Sequence, residues 1–293
     1  HRIMNTIKIN ETPIRTSRNF KINNITINAP EIPEKINEFK NVQITTQSTN
    51  CEETVENLPF TYGIGEEQEA EITKLANNKI SIKTDKKENI KIIYTFDEQN
   101  RYLINNIEFN LKEDANIIIE YRTNTEKECY HNGKIKVIAN DNANVNVTIV
   151  NFLNIASTHL EAVENEIKNS ANVHYTVMDF GGKYSVTNYY SNLIGEKAEN
   201  EINTVYLGAK DQVKDINYIA ELRGPKTKMN MELQGALKDE SKKNFKGTID
   251  FKKGSKKAKG TENEACMLLS DKAKSLALPM LLCTEEDVDG EHS

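Results

Sequence analysis

A self-similar period near 28 residues constrains this chain more than any other feature. "EDANIIIEY" from residue 113, "DNANVNVTIV" from 141 and "NSANVHYTVM" from 169 each run from a polar turn through Ala-Asn into alternating apolar residues. Ala115, Ala143 and Ala171 are 28 apart, Ala198 follows after 27, and Thr227 takes the equivalent place 29 later. Further turn-plus-strand units lie halfway between, among them "NGKIKVIA", "STHLEAV" and "GGKYSVTNY", so the elementary unit is about 15 residues. Alternation with period two makes each unit a strand. About 15 residues cannot hold two strands and a crossover helix, so the connections are short turns and successive coils stack. The reading is a mainly β chain whose core is a parallel β-helix of two or more faces. Ile117, Ile119, Val145 and Val147 point inward, and a small residue sits at each corner. The competing arrangement, an antiparallel sandwich, does not account for the regular 28-residue echo.

Residues 1–3 read as a vector scar ahead of Met4, residues 4–95 as a small irregular α/β region, and residues 96–293 as the β-helix core. Within the first region "EQEAEITKLANNK" reads as a short helix, and "KISIKTD" and "NIKIIYTFD" as strands. A hydrophobic fraction of 37% is low for 293 residues, but it suits a solenoid in which each layer buries a thin stripe. The net charge of −6 argues against a nucleic-acid partner, and the Lys-rich run "DFKKGSKKAKGTE" reads as a solvated turn. The longest apolar run considered, "LALPMLLC", has eight residues against the roughly 20 a membrane helix needs. Cysteines at 51, 129, 266 and 283 show neither CxxC spacing nor scaffold density, consistent with a reducing cytoplasm.

Three places offer ligand chemistry. Cys129 and His131 form a Cys-x-His pair within "KECYHNG", which reads as a loop. Cys266 and Cys283 are 17 apart, about one unit, so both can lie on neighbouring strands near one soft-metal site; as residues beside apolar runs they also suit burial. His292 and Glu291 close the acidic run "EEDVDGE", a nitrogen and an oxygen donor suited to iron. His174 alternates with Val173, Tyr175 and Val177 and so faces solvent, as one of two histidines, with His159, that are 15 apart. No P-loop, dinucleotide fingerprint, nucleophile elbow or HExxH is present, and the chain reads as a non-enzyme.

The closing stretch resembles the SufB/SufD family of iron–sulfur cluster assembly scaffolds. The residues that carry it are Phe245, Lys246-Gly247, Leu268-Leu269-Ser270-Asp271-Lys272, Pro279, Glu285-Glu286-Asp287 and His292, with "TPIRTSRNFKINN" near the start as a further likeness. The resemblance implies a right-handed parallel β-helix and a scaffold that pairs with its paralogue and with the SufC ATPase. It also implies a transient, nascent iron–sulfur cluster held where two β-helices meet, by a SufB cysteine and a SufD histidine. That histidine matches His292. The SufB cysteine falls at Glu264, two residues before Cys266, a lysine of the family's sulfur route falls near Gln234, and the acidic residue next to the histidine in SufB falls at Ser293. The chain is therefore the more SufD-like. In the family a further strand and a helical segment that docks SufC follow the histidine, whereas this chain stops at Ser293. The expected ligand set is His292, Glu291, Cys283 and Cys266, against a paralogue or a second copy. The rival readings are a carbohydrate-binding or carbohydrate-cleaving β-helix, which needs carboxylates converging on one face, and a purely structural repeat protein.

Overall fold

The computed structural model describes residues 4–14, 23–47, 51–52, 55–56 and 58–293. Residues 1–3 and most of the family-like N-terminal motif, residues 15–22, lie outside them. The first elements are β1 (Met4–Ile9), β2 (Ile25–Pro30), β3 (Val42–Thr45), β4 (Cys51–Glu52), α1 (Glu66–Leu75), β5 (Asn78–Thr84) and β6 (Glu88–Phe96). Then come β7 (Tyr102–Leu111), β8 (Ala115–Thr123), β9 (Tyr130–Ala139), β10 (Asn144–Phe152), β11 (Thr158–Ile167), β12 (Asn172–Asp179) and β13 (Tyr184–Leu193). The last are β14 (Glu199–Gly208), β15 (Val213–Leu222), β16 (Lys228–Leu237), β17 (Lys242–Phe251), β18 (Ala258–Leu268), β19 (Lys274–Cys283) and β20 (Val288–His292).

From β5 onward the strands deal alternately into two parallel sheets. Odd-numbered strands pair β5 through β19 and even-numbered strands pair β6 through β20, so each coil contributes one strand to each sheet. This is the parallel β-solenoid expected from the repeat. Its ladder begins at Asn78, before the repeat becomes legible in the sequence. The antiparallel strands β3 and β4 close the first edges. The helix and the strands expected at "KISIKTD" and "NIKIIYTFD" are present as α1, β5 and β6.

The alternation explains the core. In β10 Val145, Val147 and Ile149 are buried while Asn144 and Asn146 are exposed. Val147 pairs with Ile117 below and Tyr175 above, so like side chains stack from rung to rung. The corners are equally regular. Asn142, Ser170, Lys197, Lys226 and Lys257 have φ between 54° and 66°. Each precedes a buried small residue, Ala143, Ala171, Ala198, Thr227 or Ala258. A left-handed non-glycine residue costs about 1–2 kcal/mol. Here it turns the chain into the next sheet and donates its N–H to the following coil, as from Asn142 to the Asn169 carbonyl at 2.9 Å and from Ser170 to that of Glu196 at 2.8 Å.

From β7 to β17 the odd-numbered sheet is largely buried on both sides. Its outer face is covered by the N-terminal layer through Ile9, Ile25, Ile27, Ile64 and Ile72, which pack with Tyr130, Leu160, Ala162 and Val186. The seal includes a fully buried ion pair, Lys246 Nζ to Asp215 Oδ1 at 2.7 Å. Asn10 closes over it. Its side chain donates to Asp215 Oδ1 at 2.7 Å, and its carbonyl accepts from Lys246 Nζ at 2.8 Å. Burial pushes the Asp215 carboxyl up, and the Lys246 ammonium pulls it back. A second buried pair lies inside the solenoid, Lys214 Nζ to Asp179 Oδ1 at 3.1 Å, with the Ser185 hydroxyl donating to Asp179 at 2.8 Å.

One expectation is corrected. His131 does not sit in a loop but on β9, whereas Cys129 lies in the connection just before that strand. The chain from Cys129 into β9 is buried, and His131 points into the solenoid. Burial pushes the Cys129 thiol up to about 11, away from the thiolate that metals bind.

Candidate functional site at the open end of the solenoid

The last rungs, β18, β19 and β20, form an end that no later strand of this structure covers. Glu262, Glu264 and Cys266 share the inward side of β18, because alternate residues of a strand face the same way. β20 lies over the first half of β18 and places His292 directly on Glu262. The ladder continues to Ser293, whose N–H donates to the Glu262 carbonyl at 2.9 Å. His292 therefore sits on the inward side of the last rung of this structure and is exposed there.

Beneath it the Glu262 carboxylate is only 2% exposed, and neither oxygen has a hydrogen-bond partner. Burial pushes its pKa up to about 9, so it holds a proton at neutral pH. Gly247 makes room for it, since a Cβ there would stand 2.8 Å from Glu262 Oε1. Next along the strand Glu264 is ion-paired with the buried Lys243 and accepts from the Tyr206 hydroxyl at 3.3 Å. Lys243 also donates to the Leu276 carbonyl at 3.2 Å and lies 5.7 Å from the centre of the Tyr206 ring. The half-buried Cys266 lies beside Tyr206, whose hydroxyl is held protonated first by burial and then by Cys266 and Glu264. The open end thus offers nitrogen, oxygen and sulfur donors above a floor of one ion pair and one neutral carboxyl.

The four residues singled out by sequence do not converge within one chain. Glu291 and His292 are consecutive in a strand, so they face opposite ways. Glu291 pairs with Thr261 at the end of an outward polar column that runs through Asn89, Asn116, Asn146, His174, Glu201 and Asn230. Cys266 lies four residues along β18 from Glu262, about 13 Å at 3.3 Å per residue. Cys283 is exposed at the far end of β19, in the other sheet, in register with Phe251. Glu262, Glu264, Lys243 and Tyr206 were not singled out by sequence. The signal was there in part, because Glu262 and Glu264 alternate with Thr261, Asn263 and Ala265, but an all-polar strand does not say which side is inside.

Elsewhere on the outward face two carboxylates are engaged. Glu201 is bound to the exposed His174 and accepts from Asn203 at 3.0 Å, and Glu199 lies 3.7 Å from Lys228. In the Lys-rich run Lys252 pairs with Asp250 at 2.8 Å and with Glu221 at 3.1 Å. Among the described residues no helix is long and apolar enough to cross a membrane.

Fold and site together define a two-sheet parallel β-solenoid with a histidine on the last rung of this structure. Residues 94–293 match the family described as "SUF system FeS cluster assembly, SufBD core domain", and the chain belongs to that family. It is 21% identical over 208 residues to the "Iron-sulfur cluster assembly protein SufD" of Bacillus subtilis (strain 168), an alignment covering 70% of this chain and 48% of that protein. The chain spans about half the length of that curated relative. Family membership places it among the components of iron–sulfur cluster assembly and agrees with the SufD-like character of its closing motif.

Proposed function

We propose that the chain is a non-enzymatic, SufD-like scaffold that holds a nascent iron–sulfur cluster, its cargo, at a seam between its open end and a SufB-type paralogue or a second copy. The observation that carries this reading is His292 on the inward side of the last rung, exposed above the unpartnered carboxyl of Glu262. An imidazole at an open end supplies one ligand and leaves iron to take thiolates from a partner. Glu262, a neutral buried carboxyl, becomes a carboxylate as a cation approaches. Cys266 is the chain's own candidate sulfur donor, while Cys283 and Glu291 lie farther off, at the rim and on the outer face.

The same end provides a docking surface. Met267, Leu268, Leu269 and Leu276 are 46–64% exposed, close to the last rungs of β19 and β20. Exposed apolar residues beside the last rungs suit association with a second solenoid. The likeness to SufD, in a family that the sequence motif ties to SufB and the SufC ATPase, supports a paralogue as the partner and the cytoplasm as the compartment.

The test is anaerobic reconstitution with ferrous iron, sulfide and a SufB paralogue, followed by visible absorbance and iron content. The complex is expected to retain a cluster chromophore, His292→Ala to lose it while the complex still forms, and Leu276→Arg to lose the complex itself. Undiminished iron and absorbance in His292→Ala would overturn the assignment.

A further inference from the structure

Far from the open end, the interior of the solenoid holds a second set of ligand groups. His131 and His159 occupy the same inward position on the adjacent strands β9 and β11, one rung apart. One position along, Asn105, Gly133 and Glu161 form the neighbouring column across β7, β9 and β11. His131, His159 and Glu161 are at most 1% exposed, and one ligand atom from each lies within 4.8 Å of the others.

The hydrogen bonds set the chemistry. His131 Nε2 is 2.8 Å from Asn105 Oδ1, an acceptor, so Nε2 carries the proton and Nδ1 is a bare lone pair. That lone pair faces His159 Nδ1 at 2.8 Å, so a single proton lies between the two nitrogens. Glu161 contributes two buried oxygens without a hydrogen-bond partner, an arrangement that costs free energy unless something pairs with them. The Tyr121 hydroxyl lies near the Glu161 carboxyl and the Asn105 amide without a well-formed hydrogen bond to either. Its ring lies 4.3 Å from that of His131 and 5.3 Å from that of His159. The nearby Lys214 is neutralised by Asp179 and does not repel a cation. Gly133 is required by the same geometry, because a Cβ there would stand 1.9 Å from Asn105 Oδ1 and 2.6 Å from His131 Nε2.

We propose that His131 Nδ1, His159 Nδ1 and Glu161 form a buried structural site for one divalent first-row transition-metal ion, with Tyr121 as the adjacent oxygen donor. The ion takes the place of the proton between the imidazoles, that proton moves to His159 Nε2, and the carboxyl proton of the unpartnered Glu161 leaves to solvent as its carboxylate binds. Two imidazoles and a carboxylate suit zinc or ferrous iron. Asn105 does what the outer hydrogen-bond partner of a ligating histidine does, fixing the tautomer that leaves Nδ1 free. Because the site is sealed, the ion enters as the coils close.

The probe is cobalt(II). The full chain is unfolded in urea, refolded anaerobically with excess cobalt and passed through gel filtration. About one cobalt per chain is expected, with visible d–d bands and an X-ray absorption edge showing nitrogen and oxygen neighbours without sulfur. Glu161→Gln should lose the bound cobalt, and Asn105→Leu should weaken retention about 10–100-fold. His174→Ala, at an exposed histidine, should leave both readouts unchanged. Refolded wild-type protein with native circular dichroism and no retained cobalt would overturn the proposal, as would sulfur in the ligand shell or full retention in a folded Glu161→Gln. If Glu161→Gln does not fold, the wild-type stoichiometry and ligand shell decide the question alone.

Discussion

Replacing Lys246 with Met tests how the N-terminal layer is locked onto the solenoid. Lys246 and Asp215 are both fully buried and 2.7 Å apart, and Asn10 bonds to each of them. Removing the cation leaves an aspartate sealed under the layer with only Asn10 and Asn244 as donors. Breaking a buried pair on one side costs about 3–5 kcal/mol, and Asp215→Leu should cost a similar amount by stranding the ammonium. The double variant removes both charges. It orphans the Asn10 carbonyl and the Asn244 amide, at about 1 kcal/mol each, and gains from apolar packing, so it should lie within about 2 kcal/mol of wild type. The cycle therefore predicts a coupling of at least about 3 kcal/mol between the two sites. Urea titrations followed by far-ultraviolet circular dichroism measure it. Hydrogen exchange supplies the structural readout, because Lys246→Met should loosen the amides of Asn10 and Thr12, which bond to the Ile64 and Asn23 carbonyls. Single costs that add to within about 0.5 kcal/mol in the double variant, or unchanged protection at Asn10, would refute the locking role.

Glu262 governs a pH dependence. Its pKa rises from an ordinary 4.5 to about 9 on folding, so between those values the folded state binds the extra proton. Stability must then fall as pH rises through that window, by up to about 1.4 kcal/mol per unit. Glu262→Gln should gain on wild type between about pH 5 and pH 8.5 in chemical denaturation, and a constant difference would contradict the assignment. Glu161, pushed up to about 8, contributes a slope of the same sign that remains in that variant. Gly133→Ala should cost about 1–3 kcal/mol through its collision with Asn105 and His131, with partial recovery when Asn105→Ala is added; thermal unfolding of the three proteins measures both effects.

Much of the architecture was legible because a solenoid writes its period into the chain. The spacing of Ala143, Ala171 and Ala198 follows from corners that admit only a small side chain, whereas the register sets Ala115 against Val145, two residues beyond that corner, and the alternation of Val145, Val147 and Ile149 follows from the pleat. His292 was legible as a candidate through its family motif, and the register then put it on the inward side of the last rung. The split between His292 and Glu291 was hidden in plain view, since neighbours in a strand always face apart.

The sequence by itself determined the strand period, the parallel stacking and the small corners, because each depends on residues within one or two coils. Only the tertiary structure decided that β11, "THLEAVENEI", is buried on both sides, that Asn10 meets Asp215 across 205 positions, and that His131 and His159, 28 apart, face each other at 2.8 Å. The physical reason is that alternation assigns residues to two faces without saying which face water reaches. That depends on the layer packed outside and the rung stacked above, and so on contacts that no local pattern records.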